Sequence, residues 1–392
     1  MVIKITFTPV TYTGWNALEN LVDEVKRFNA QNILIVTDPF LKEIGLTDKV
    51  VAPLEKQGWK TCVYTDVMPE PPLALGEKLV AYTRKYKFDL VIGLGGGSAL
   101  DLAKLAGVLA VHDGDVADYL NLTGKFSLTN KGIPKILIPT TSGTGSEVTN
   151  ISVLSLDTTK DVVTHDYLLP DVAIVDPALT VSLPPKVTAA TGIDALTHAI
   201  EAYVSKNANP ITDALALQAI HLISSSIRIA VTEGENQEAR TNMSYGSYLA
   251  GLAFFNAGVA GVHAMAYPLG GQFHISHGES NAVLLPYVMN YIRSSCEEKM
   301  KDILNAMGYS SINLSDQEAS YRLIEELKVL VKDVKIPLTL KEFGILEASL
   351  ENLTEDAFKQ QRLLSRSPYP LLKEDILNIY KCAYFGSFVV KD

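Results

Sequence analysis

Short runs of Val, Ile and Leu recur through the first half of the chain, separated by segments of helical periodicity. NILIVTD (32–38), KTCVYTDV (60–67), FDLVIGLGGGS (88–98), PKILIPTT (134–141) and DVAIVD (171–176) read as strands. Several are apolar at consecutive positions, as expected of strands buried on both faces of a parallel sheet. Between them, WNALENLVDEVKRFNA and PLALGEKLVAYTRKY carry the three-and-four spacing of amphipathic helices. The repetition predicts βαβ units and an α/β domain with a Rossmann-like parallel sheet.

The pattern changes after VDPALTVSLPP. From Lys186 onward helical periodicity dominates, as in DALALQAIHLISSSIRIAVTEG, AGLAFFNAG, EKMKDILNAMG and EASYRLIEELKVLVKDV. Pro184 and Pro185 mark the change, so the expected domains are 1–183, α/β, and 184–392, all helical. From Thr241 to Gly278 there is no Asp, Glu, Lys or Arg. The stretch is long enough to cross a membrane, but Asn256, His263 and several glycines interrupt it, so a buried helix beside a site is the expectation.

Composition narrows the function. The chain has 392 residues, 47% hydrophobic and 20% charged, with a formal charge of −10. No basic surface for nucleic acid or an anionic membrane is expected from that balance. The three cysteines, Cys62, Cys296 and Cys382, are far apart and odd in number, which suggests a reducing cytoplasm rather than a disulfide framework.

Two small-residue loops follow predicted strands. GLGGGSALDLAK (93–104) opens a helix, whose free N–H groups and dipole favour a phosphate. It departs from G-x-G-x-x-G, because Ser98 stands at the third glycine. PTTSGTGSEVTN (139–150) offers the hydroxyls of Thr140, Thr141, Ser142, Thr144 and Ser146 beside Gly143 and Gly145. Together the loops argue for a dinucleotide. Asp38, closing NILIVTD, could accept hydrogen bonds from ribose hydroxyls and repel a 2′-phosphate, or serve as a helix N-cap.

Asp194 and His198 lie four apart in TAATGIDALTHAIEAYV and therefore share one helix face. His263 and His277 flank VHAMAYPLGGQFHISHG. A carboxylate and three imidazoles in apolar surroundings make a ligand set for one divalent metal, and a shared ion would compensate their burial. The donor types suit Fe(II), Zn(II) and neighbouring ions.

In their joint order, these motifs resemble the iron-containing (group III) alcohol dehydrogenase family over essentially the whole chain: IGLGGGSALDLAK, PTTSGTGSEVT, LPDVAIVDPALT, AATGIDALTHAIEAYVS, GVHAMAYPLGG and SHGESNAVLLPYVMNY. The resemblance implies a dehydroquinate-synthase-like architecture, with a dinucleotide-binding domain followed by a helical metal domain. It puts the metal ligands on Asp194, His198, His263 and His277. The phosphate loop falls on Gly95, Gly96, Gly97 and Ser98, with Asp101 in the same motif, and the threonine loop on Thr140, Thr141 and Thr144. Asp38 becomes the acid that favours NAD over NADP, Asn150, Lys160 and Leu179 fall near cofactor-lining positions, and Phe254 lines the substrate channel.

The chain departs from that pattern at three places. Tyr267 occupies the position, four after His263, where many members carry a relay histidine. His274 replaces the Asn or Asp of the aromatic-Asn/Asp-x-x-His-Gly segment, and Glu70 replaces a frequent Asn. His274 or the Tyr267 hydroxyl is therefore the candidate proton relay.

The expected activity is metal-dependent, NAD-linked interconversion of a small primary alcohol and its aldehyde, with Fe(II) bound, in a cytoplasmic homodimer without nucleic-acid or membrane partners. Residues 2–8 form the candidate exchanged edge strand. The rivals are a dehydroquinate-synthase-like or glycerol-dehydrogenase-like enzyme, a metal hydrolase, and a non-catalytic scaffold.

Overall fold

The computed structural model describes residues 2–157 and 159–389. Its strands are β1 (Val10–Thr13), β2 (Asn32–Val36), β3 (Lys60–Tyr64), β4 (Leu90–Gly95), β5 (Lys135–Pro139), β6 (Ile151–Ser155), β7 (Lys160–Thr164) and β8 (Val172–Val175). The helices of this half are α1 (Leu21–Phe28), α2 (Pro39–Glu43), α3 (Asp48–Lys56), α4 (Leu73–Tyr86) and α5 (Gly97–Leu109).

Six strands form one parallel sheet in the order β1-β8-β5-β4-β2-β3. The consecutive apolar residues serve its two faces in alternation. Ile33, Ile35, Leu90, Ile92, Ile136 and Ile138 pack with Leu21, Val25, Val50 and Leu54 of α1 and α3. Leu34, Val36, Val91 and Leu137 pack with Leu79, Leu100, Ala103 and Leu105 of α4 and α5. Burial at every position explains why these strands lack the alternation of a half-exposed sheet.

Three strands have weaker signatures. β1, VTYT, is a short edge strand beside β8. β6 and β7 form an antiparallel hairpin outside the main sheet. The five predicted strands stop short of their polar ends, so Thr37, Asp38 and residues 96–98 and 140–141 lie beyond the ladders. In an open α/β sheet ligands bind beyond the carboxyl ends of the strands, where the strand order reverses. Here that reversal lies between β2 and β4, which carry Asp38 and the glycine loop at their ends.

The remainder is helical: α6 (Pro185–Val204), α7 (Pro210–Thr232), α8 (Gln237–Ala257), α9 (Gly261–Phe273), α10 (His277–Ile292), α11 (Glu297–Ala306), α12 (Asp316–Asp333), α13 (Leu350–Phe358), α14 (Gln361–Leu364) and α15 (Lys373–Phe385). By its contacts, the chain divides into a unit of residues 6–156 and 160–182, and a second that takes in the chain from Leu183 on together with residues 2–5, 157 and 159. The segment 2–8 forms no strand in this chain.

The uncharged stretch is not one helix. It breaks between Ala257 and Gly261, and α8 and α9 meet at 106°. Leu252, Ala253, Val262, Ala264, Met265 and Leu269 are buried on the two sides of the bend. From the far end of the sequence, the buried Tyr380 hydroxyl of α15 donates to the Met265 carbonyl at 2.6 Å, fastening α9.

Candidate metal centre and nucleotide loops

Three helices build the donor set. Asp194 and His198 stand one turn apart in the middle of α6, a 20-residue helix that starts on Pro185, where proline's missing N–H costs nothing. His263 lies in the first turn of α9, and His277 is the first residue of α10. His277 depends on its neighbour. A Cβ on Gly278 would lie 2.1 Å from the Ala190 carbonyl oxygen of α6, so only glycine lets the start of α10 meet that helix.

The four ligand atoms lie within 4.8 Å of one another. Asp194 Oδ1 is 3.9 Å from His198 Nε2, 3.8 Å from His263 Nε2 and 3.6 Å from His277 Nε2. Ligands of a tetrahedral ion with bonds of about 2.1 Å stand about 3.4 Å apart, so a small contraction would close the set on a divalent cation. Asp194, His198 and His263 are buried, whereas the His277 side chain keeps 24% of its surface exposed. His277 is thus the solvent-side member of the set.

Electrostatics keeps two of the donors, His198 and Asp194, in their ligating forms. Burial drives the His198 imidazole down to about 3, against the pull of Asp194, so it is neutral at physiological pH. Burial alone would raise Asp194, but His198, His277, His263 and the Asn281 amide together hold it below its ordinary value. Metal binding therefore needs no proton removed from either group.

Two further residues, absent from the sequence reading, complete the centre. Glu201 Oε2 accepts from His263 Nδ1 at 2.6 Å, and its Oε1 accepts from the Val262 N–H at 2.7 Å. With Nδ1 carrying the proton, the Nε2 lone pair points at the other donors. Asn281 donates to Asp194 Oδ1 at 2.7 Å. Both had a signal: Glu201 follows Asp194 by seven and Asn281 follows His277 by four, which extends each polar stripe along an apolar helix.

Phe254 of α8 stacks on the His198 ring, centroids 4.2 Å apart, and His198 in turn stacks on His263 at 4.6 Å. Tyr267 is buried with its ring 6.0 Å from that of His277. His274 is exposed and ends α9 at φ 55°, ψ 27°. Asn, Asp and His are the side chains that tolerate this left-handed geometry best, so the turn itself accounts for the residue type.

In the other unit the loops converge. Asp38 caps α2 by accepting from the Leu41 N–H at 2.9 Å, while its second oxygen lies 3.6 Å from where a Cβ on Gly95 would stand. The N-cap and ribose readings are therefore compatible. A Cβ on Gly97 would meet Thr144 at 2.7 Å, and one on Gly96 would touch Thr141 at 3.4 Å. The two loops thus pack against each other, joined by the Thr140 N–H to the Gly95 carbonyl at 3.0 Å. Gly96, Gly97 and Ser98 remain partly exposed at the start of α5, where its unsatisfied N–H groups are available to a phosphate.

The remaining candidates have internal partners. Asp101 accepts from Ser146 Oγ at 2.5 Å and the Val153 N–H at 2.9 Å, and pairs with Lys104 at 2.9 Å, clamping α5 to the threonine loop. Lys160 pairs with Glu70, and Asn150 donates to Asp166 at 3.1 Å. Leu179 is buried in the apolar layer under the sheet.

Comparison with known proteins gives a consistent picture. Residues 9–177 match the family model for iron-containing alcohol dehydrogenase, and residues 188–384 match that for the C-terminal part of the Fe-containing alcohol dehydrogenase family. The chain is 69% identical over 388 residues to long-chain-alcohol dehydrogenase 1 of Geobacillus thermodenitrificans, covering 99% of this chain and 98% of that one. It is 39% identical to the 1,3-propanediol dehydrogenase of Klebsiella pneumoniae, covering 96% and 97%. Among solved structures, an alcohol dehydrogenase from Oenococcus oeni superimposes with a TM-score of 0.93 at 35% identity, covering 98% of this chain and 100% of that one.

Proposed function

The chain belongs to the iron-containing alcohol dehydrogenase family, whose reaction interconverts an alcohol and its aldehyde, and we propose that it does so with NAD and a divalent metal, Fe(II) first. The observation that carries the proposal is the donor set of Asp194, His198, His263 and His277. Their mixed nitrogen and oxygen chemistry suits a first-row divalent ion. When bound, the ion supplies Lewis acidity toward the alcohol oxygen and NAD accepts hydride.

The chain's residues do the rest. Glu201 and Asn281 orient the ligands, and Phe254 presents an apolar ring beside His198. The α5 N–H groups take the phosphates, and Asp38 favours an unphosphorylated ribose. The hydroxyl proton of the alcohol leaves to solvent, and the cofactor held by the α5 N–H groups and Asp38 would supply the acceptor for the hydride. The products are aldehyde, NADH and one proton. Tyr267, beside His277, is the candidate relay for that proton. The relative at 69% identity is named for long-chain alcohols, so the proposed substrates are primary alcohols extending to long chains. A homodimer in a reducing cytoplasm, in keeping with the free thiols of Cys62, Cys296 and Cys382, completes the proposal.

The test is oxidation of NADH and NADPH with aldehydes of increasing chain length, using metal-stripped protein and protein reloaded anaerobically with Fe(II) or Zn(II). Turnover restored by metal and preferring NADH supports the proposal. Turnover that ignores the metal, or that prefers NADPH, overturns the corresponding part.

A further inference from the structure

Asn281 lies one turn beyond His277 on α10 and is fully buried. Its Nδ2 is 2.7 Å from Asp194 Oδ1 and 3.3 Å from Nε2 of both His263 and His277. The oxygen it touches is the one that faces all three imidazoles. Its own Oδ1 is buried with no hydrogen-bond partner among the described residues. The amide is therefore oriented by its donor side, toward the Asp194 carboxylate and the two imidazoles.

From this geometry we infer that Asn281 is a positioning residue of the metal centre, resting on the metal reading above. A carboxylate oxygen has two lone-pair directions. The Asn281 N–H occupies one, which stops the Asp194 carboxylate from rotating and leaves the other directed at the imidazoles. The same N–H supports a buried negative charge before any cation arrives. Its partners sit on α6, α9 and α10, so one amide fixes the relation of the three helices that carry the donors.

The experiment is Zn(II) affinity of the metal-stripped full chain, measured by competition with a chromophoric chelator, for the native sequence, Asn281→Ala, Asn281→Asp and Asp194→Ala. Asn281→Ala is expected to bind Zn(II) about 10–100-fold more weakly, the usual effect of removing a group that orients a ligand. Asn281→Asp keeps the shape but replaces the donor with an acceptor facing Asp194, so it is expected to lose at least as much. Tighter binding by Asn281→Asp would overturn the inference by making position 281 a ligand. Weaker binding by Asp194→Ala alone would overturn it while leaving the metal reading intact. Unchanged affinity in all three variants would overturn both.

Discussion

Glu201 and His263 share a buried hydrogen bond of 2.6 Å that sets which nitrogen of the imidazole carries the proton. The carboxylate also accepts from the Val262 N–H, so it anchors the histidine's ring and its backbone together. Glu201→Gln is expected to weaken Zn(II) binding by about 10–100-fold, because an amide can present its donor to Nδ1 and favour the wrong tautomer. Calorimetry of metal loading at fixed pH checks this, and unchanged affinity would show that the ring is held by packing alone.

Gly278→Ala should be among the most damaging single changes in the helical half. Its Cβ would lie 2.1 Å from the Ala190 carbonyl oxygen and 2.5 Å from the Ala190 carbonyl carbon, both backbone atoms. Overpacking of this kind costs about 1–3 kcal/mol, and more where the backbone must move. The expected result is a lower melting temperature together with loss of tight metal binding, since His277 moves with its neighbour.

Asp38→Asn separates two roles of one side chain. Asparagine can still accept from the Leu41 N–H and cap α2, but it carries no charge. The ratio of kcat/KM for NADPH to that for NADH should rise about tenfold, the effect of ~1.4 kcal/mol. Melting temperature should hold. An unchanged ratio would leave Asp38 as a cap only.

Glu147 is buried in the threonine loop, and burial pushes its carboxyl up to about 7, against the nearby Lys104. A carboxyl raised in the folded state stabilises the fold fully below its unfolded value, near 4.5, and loses that contribution as pH rises to about 7. The whole effect is at most roughly 3 kcal/mol. Urea unfolding at pH 5, 6 and 7 should show this decline, and Glu147→Gln should flatten it. Equal slopes in the two proteins would exclude Glu147 as its source.

The relay candidates can be distinguished by substitution. His274→Asn suits the left-handed turn at φ 55° and should leave both stability and the pH–rate profile intact. Tyr267→Phe removes only the hydroxyl of a ring 6.0 Å from that of His277, and we expect it to shift the profile. The reverse pattern would assign the relay to His274.

The donor set was legible in the sequence because each of its members is costly where it stands. Asp194, His198 and His263 interrupt apolar helices, and the Asp194–His198 spacing needs only helical geometry to become a shared face. The central strands were equally plain, since burial on both faces leaves runs such as ILIV. The β6–β7 hairpin was not, because the buried polar residues Ser152, Lys160 and Asp161 dilute its apolar pattern. The left-handed turn at His274 depends on how α9 ends, and Asn281's bond to Asp194 depends on α6 and α10 meeting. Spacing within one segment encodes neither.

Tyr380 donates to the backbone of α9 two residues beyond His263, although 115 positions separate it from Met265 in sequence. Seen in the order of synthesis, the ligands emerge from the ribosome long before the helix that fastens them. A nascent chain released before Tyr380 would carry every donor and still lack the strut behind His263. The metal should therefore be taken up late, by a nearly finished chain, and a truncation upstream of Tyr380 should fail to retain it.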